Sequence, residues 1–254
     1  MKKRLSVFIL ALVLPALACI SPVTITFDGV VDKEVVRGSG NSVSENRNVR
    51  DFDSIQMMIQ GNVIITQSDR ESLQVTADDN LMDYIKTEIE GRTLVLEYTK
   101  AADDLDIRPS TAYLFEVEMI DVVELEIFGM GDINSETIVS DRIDLSIYGL
   151  GDIHINKLST DRLNVNIFGL GDVEVAGTAS FVEIDIAGAG DVLAGDLQAE
   201  DAKVDIPGSG SATVWVSGDL DVNIPGAGTV RYYGDPLIDF NSPGAGALRD
   251  LGEK

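Results

Sequence analysis

The strongest constraint on this chain is a bend of the form G-x-G that returns along its second half. Residues 125–132 (LEIFGMGD) are followed by 145–152 (LSIYGLGD), 165–172 (VNIFGLGD) and 184–191 (IDIAGAGD). The series continues through 204–211 (VDIPGSGS) and 222–229 (VNIPGAGT) to a degenerate copy at 242–247 (SPGAGA). The first glycines fall at 129, 149, 169, 188, 208, 226 and 244, so the spacings are 20, 20, 19, 20, 18 and 18. Each unit opens with the apolar–polar–apolar alternation of a half-buried strand. One inward column is Leu125, Leu145, Val165, Ile184, Val204 and Val222, and the next is Ile127, Ile147, Ile167, Ile186, Ile206 and Ile224. A second alternation follows each bend, as in Ile153/Ile155 and Val173/Val175, and polar turns such as Ser140–Arg142 and Thr160–Arg162 close the units. Single strands of this kind cannot bury a face alone. Stacked as coils about 4.8 Å apart they align into ladders around a continuous core. That architecture is a parallel β-solenoid with coils of 18–20 residues. An antiparallel sandwich, the alternative for many short strands, does not require one bend at constant spacing.

Residues 49–120 repeat less regularly but also read as strands. Apolar or alternating runs at 63–66, 73–77 and 94–98 are separated by Gly61, by 78–80 and by 91–92. A helical turn is expected only at 81–86. Residues 20–48 are polar and include GSGNS at 38–42, which reads as a linker.

The N-terminus, MKKRLSVFILALVLPALAC, has a basic start at Lys2, Lys3 and Arg4 and an apolar stretch from Leu5 to Leu17. A membrane span needs about 20 apolar residues, so this stretch fits a secretory signal. Small residues before Cys19, the only cysteine, resemble a bacterial lipobox with Ala16 in place of the usual leucine. Lipidation of Cys19 is therefore expected, the alternative being simple cleavage after Ala18. The expected organisation is a signal peptide at 1–18, a lipid-anchored N-terminus and linker at 19–48, a β-helical domain at 49–230, and a last degenerate repeat with a C-terminal cap at 231–254. Loss of residues 1–18 leaves 16 basic against 43 acidic residues, a net charge of −27. Such a field repels phosphate backbones and argues against nucleic-acid partners.

Together these segments resemble a bacterial family known as putative auto-transporter adhesin, head GIN domain. The resemblance rests on 47–55 (RNVRDFDSI) with 61–67 (GNVIITQ), on 79–85 (DNLMDYI) through 90–94 (EGRTL), and on the G-x-G-D-I ladder beginning at Gly129. It implies a right-handed single-stranded parallel β-helix exported to the cell envelope. It implies no catalytic residues.

Three constellations stand out. Asp132, Asp152, Asp172 and Asp191 follow equivalent bends and would stack as a carboxylate ladder. Clustered carboxylates suit Ca²⁺, but aspartate also caps turns, and its replacement by Ser211 and Thr229 favours capping. No metal or cofactor is assigned. Phe128, Tyr148 and Phe168, bordered by Met130, Leu150 and Leu170, would turn outward on adjacent coils. They form either an interaction surface for a sugar face or a partner protein, or an aromatic stack that serves packing beneath a loop from 99–120. His154, the only histidine, aligns with the outward positions Asn134 and Glu174 and has no aligned nucleophile.

The function expected is a non-catalytic envelope module with an adhesion surface, bound to the membrane by lipid and to a surface protein or glycan. The alternatives are a β-helical polysaccharide lyase or hydrolase and a structural spacer. An enzyme of that kind needs cations near clustered acids. Residues 121–254 hold 24 acidic and only 7 basic residues.

Overall fold

Alternating apolar residues without helical period call for sheet, and the computed structural model, which describes residues 33–254, is 62% strand and 3% helix. The expected signal peptide, Cys19 and residues 20–32 of the expected linker lie outside the described residues. The first strands are β1 (Glu34–Arg37), β2 (Ser42–Arg47), β3 (Ser54–Met57), β4 (Asn62–Gln67) and β5 (Ser72–Asp78). Then come β6 (Ile85–Glu90), β7 (Thr93–Tyr98), β8 (Leu105–Arg108) and β9 (Leu114–Met119). The repeats supply β10 (Glu124–Ile127), β11 (Ile133–Ser135), β12 (Ile138–Ile147), β13 (Ile153–Ile167), β14 (Val173–Ile186) and β15 (Asp191–Asp205). The end of the chain adds β16 (Ser211–Val216), β17 (Asp219–Asn223), β18 (Thr229–Tyr233), β19 (Leu237–Asn241) and β20 (Ala247–Asp250).

The repeats stack in register as parallel coils. Ile127 lies beside Ile147, Ile147 beside Ile167, and Ile167 beside Ile186. Both predicted inward columns are buried from Leu125 to Ile224. The polar segments expected as closing turns stay in the ladder, with Ser140 opposite Thr160 and Arg142 opposite Arg162. Their hydroxyls stabilise the kink: Ser140 Oγ donates to the Arg142 carbonyl at 2.7 Å, and Thr160 Oγ1 to that of Arg162 at 3.0 Å.

The N-terminal half is threaded out of order. β3 and β4 form a coil with β10 and β11 on one side and with β7 and β9 on the other. An earlier copy of the bend therefore sits at Met58–Gly61, 70 residues before its stacked neighbour, because β5 to β9 are inserted between them. The expected helical turn is present at Met82–Tyr84, and a second lies at Lys100–Ala102.

The end of the expected linker is not a linker. β2 pairs antiparallel with β5, and β1 pairs parallel with β8. Its polar composition is that of an edge strand exposed on most of its residues, which alternates too weakly to be read. Asp78 ties this region down. It is buried and accepts from Gly40 N at 2.8 Å, Ser110 N at 2.8 Å and Ser110 Oγ at 2.5 Å.

Burial favours the neutral acid of Asp78, but the hydrogen bonds from Ser110 and Gly40 outweigh it and hold the carboxyl below its ordinary value. A depressed folded value stabilises fully above the unfolded value of about 3.9 and is lost as pH falls through the folded one. Asp78→Ala is expected to cost about 2 kcal/mol at neutral pH. Chemical denaturation of wild type and variant from neutral pH down to about pH 2 should show the gap closing below about pH 4.

Candidate functional site

The outward stripe is set by the geometry of the bend. A Cβ on Gly151 would overlap the carbonyl oxygen of Gly131, and one on Gly149 would overlap that of Gly129. The two backbones therefore meet directly, with Leu150 N donating to Gly129 O at 2.9 Å and Gly131 N to Leu150 O at 2.9 Å. Gly151 also adopts φ +153°, in a region that residues with a Cβ rarely enter. With the backbone fixed so closely, like side chains on successive coils are held one above another.

Phe128 and Tyr148 stack with ring centroids 4.4 Å apart and planes 11° apart, and Tyr148 and Phe168 with 4.9 Å and 9°. Among the described residues no loop covers them: Phe128 is 41% exposed, Tyr148 42% and Phe168 50%. Met130, Leu150 and Leu170 are exposed alongside, and their backbones are bridged in parallel. The structure thus brings all six predicted residues onto one continuous apolar corner.

The rings stack face to face, Phe128 and Phe168 each using one face against Tyr148. Both faces of Tyr148 are occupied by its neighbours. Stacking of a sugar needs a free ring face, whereas ring edges beside flexible Met and Leu side chains suit apolar protein groups.

Two residues extend the stripe beyond its predicted limit. The register that places Met57 beside Ile127 puts Met58 next to Phe128 and Gln60 next to Met130. Met58 is exposed, while Gln60 donates to the Tyr98 hydroxyl at 2.8 Å. Burial raises the phenol of Tyr98, so it stays protonated. Met58, Gln60, Met130, Asp106 and Lys33 border a cleft of about 520 Å³ at this end of the stripe. The segment from 99–120, expected as a possible cover, supplies one wall of that cleft instead. The only signal for this coil was Gly61, since Ile59 occupies the place of the first glycine.

The aspartates form the expected ladder, but each caps the next coil rather than its own turn. Asp132 Oδ1 accepts from Asp152 N at 3.1 Å, Asp152 Oδ1 from Asp172 N at 2.8 Å, and Asp172 Oδ1 from Asp191 N at 2.8 Å. Asp191 Oδ1 closes the series by accepting from Ser211 N at 2.9 Å and Ser211 Oγ at 2.8 Å. The carboxylates thus act as inter-coil clamps beside the apolar corner. Among the described residues, no group of three or more His, Cys, Asp or Glu is placed to hold a metal ion. His154 lies between Asn134 and Glu174 as expected, with Nε2 3.6 Å from the Glu174 carboxylate.

Comparison with known proteins agrees with this geometry. The model of a family described as putative auto-transporter adhesin, head GIN domain, matches residues 51–236. The crystal structure of a putative adhesin from Bacteroides fragilis is 26% identical, with a TM-score of 0.81 over 85% of this chain and 100% of that one. A putative lipid binding protein from Parabacteroides distasonis is also 26% identical, with a TM-score of 0.69 over 86% of this chain and 100% of that one. A putative adhesin from Parabacteroides merdae, 20% identical with a TM-score of 0.67 over 86% and 99%, shares the fold. No curated protein matches the chain.

If the aspartates are clamps, Asp152→Ala strands the Asp172 amide and should cost about 1–2 kcal/mol, while Asp152→Asn keeps an acceptor and should cost less. Thermal melting of the wild type should rise equally in matched millimolar Ca²⁺ and Mg²⁺. A Ca²⁺-selective rise abolished by Asp152→Asn would make the ladder a metal site.

Proposed function

Because the chain belongs to the putative auto-transporter adhesin, head GIN domain family, we propose that it is a non-catalytic, exported cell-envelope module that presents an adhesion surface. The observation that carries this reading is the uncovered corner formed by Phe128, Tyr148 and Phe168 with Met130, Leu150 and Leu170. Large side chains held rigid and exposed lose little conformational entropy on contact, which is the property of binding anchors. The name of the Bacteroides fragilis relative, a putative adhesin, supports the same reading.

The partner is proposed to be an envelope or surface protein rather than a glycan, since the central ring has no free face and exposed Met and Leu side chains border the stack. The acidic chain disfavours anionic surfaces, so contact concentrates on this uncharged strip. Anchoring through a lipid on Cys19 would hold the module at the membrane. No catalytic role is proposed, because the recurring aspartates are engaged with backbone amides and His154 lies between Asn134 and Glu174 with no nucleophile aligned to it.

The test compares the labelled chain with single Ala variants at Phe128, Tyr148 and Phe168 for retention on intact bacterial cells and on a glycan array. Each truncation should weaken cell retention by about 1 kcal/mol or more, roughly fivefold, with melting little changed. Retention unaffected by all three variants would reject the corner as the contact surface. Selective capture by the array would return the glycan reading.

A further inference from the structure

The two ends of this β-solenoid are finished differently. At the N-terminal end, β7 is closed by the antiparallel strand β6, and β9 by the antiparallel strand β5. At the C-terminal end, among the described residues, β19 pairs only with β17 and β20 only with β18. Ile238 and Phe240 continue the inward columns of Leu220 and Val222, yet each is 42% exposed, and among the described residues no coil stacks on them. Among the described residues they are core positions without a lid.

The backbone of β19 is equally open. Leu237 N donates to Gly218 O at 2.8 Å, and Asn241 O accepts from Ile224 N at 2.9 Å, so these alternate residues face β17. In a parallel ladder the intervening residues face the other way, which aims the N–H and C=O of Ile238 and Phe240 outward. Residues 251–254 run away from this edge. Leu251 N bonds Tyr232 O at 2.9 Å, and Lys254 reaches the Gly195 carbonyl and Asp196 on an earlier coil, with its ammonium 5.5 Å from the Trp215 ring centre.

Side-chain ladders running up to the edge define what would fit. The outward column reads Glu183, Lys203, Asp221 and Asp239, with Lys203 bonded to Glu183 at 2.9 Å. Among the described residues, Asp221 and Asp239 have no salt-bridge partner. Beside them, Asn241 donates to Asn223 at 2.9 Å and Asn223 to Asp205 at 3.2 Å, which leaves the Asn241 amide oxygen as the last acceptor. The molecule already contains a strand of the matching kind. On β7, the antiparallel β6 sets Ile89 opposite Leu94 and bonds Lys86 to the opposing Glu97 at 2.6 Å.

We propose that β19 is an acceptor edge for an antiparallel strand from a partner protein, in which apolar residues alternate with Lys or Arg. The apolar side chains cover Ile238 and Phe240, and the cations meet Asp239 and Asp221. A second copy is the poorer occupant. Antiparallel self-pairing centred on β19 sets Asp239 against Asp239 in a chain of net charge −24. This surface is separate from the aromatic corner, so its fate is independent of the adhesion reading.

The experiment titrates the full chain against a fluorescein-labelled, acetylated heptapeptide of alternating valine and lysine, read by anisotropy. A companion peptide carries N-methyl groups on the amides that would bond Ile238 and Phe240. A third has the same composition with valines and lysines in separate blocks. The alternating peptide should bind saturably, and N-methylation, blocking and the Asp239→Lys variant should each weaken binding about tenfold or more. Asp239→Lys should leave the melting temperature unchanged. Absence of binding, or equal binding of the N-methylated peptide, overturns the proposal, the latter by reducing it to charge attraction. A dimer in sedimentation that Ile238→Lys dissolves would overturn it in favour of a second copy.

Discussion

Backbone touching backbone at the glycine corners governs this molecule. Where Gly129, Gly149 and Gly169 stack, the carbonyl of one coil occupies the space that a Cβ would need on the next. That contact brings successive coils close enough to exchange hydrogen bonds through the bend itself, as between Leu150 and Gly129. Once the corners are locked, the strands entering them are in register, and Ile127, Ile147, Ile167 and Ile186 fill one unbroken column. The aromatic ladder and the aspartate clamps follow from the same spacing. Rings one residue before the corner meet face to face, and carboxylates one residue after it reach the amide of the next coil.

Much of this was legible in the sequence because the repeat is regular. Period-2 alternation identifies the strands, and constant spacing selects stacking over pairing by hairpins. The corner residues from Phe128 to Leu170 were legible for the same reason: each follows an inward isoleucine by one or three positions. Other features left little signal. Met58 and Gln60 join the stripe only because the chain threads back past their coil, a contact made across 70 residues that no local pattern encodes. β2 is exposed and polar, so pairing rather than hydrophobic alternation makes it a strand. Which amide an aspartate caps depends on where its carboxylate lies relative to the neighbouring coil, a distance that composition does not carry. The same holds for ring faces, whose orientation changes the kind of partner the corner suits.

Charge and apolar surface divide the labour. The acidic field repels other anionic surfaces, leaving short-range apolar contacts to two places. One is the corner, where exposed rings are fixed by the coils beneath them. The other is the β19 edge, where the inward columns end at Ile238 and Phe240. Both arise from the periodicity. A ladder of identical positions produces a stripe along its side, and a ladder that stops leaves its last rung unpaired.

The most direct test of this account is the thermal unfolding of Gly149→Ala, followed by near-ultraviolet circular dichroism of the stacked rings. One added methyl group must force the coils apart at the Gly129 carbonyl. The account predicts a loss of about 3 kcal/mol, together with collapse of the aromatic signal before the β-sheet signal is lost. A variant that melts with the wild type and keeps its aromatic signal would contradict it, because the corners would then tolerate a side chain.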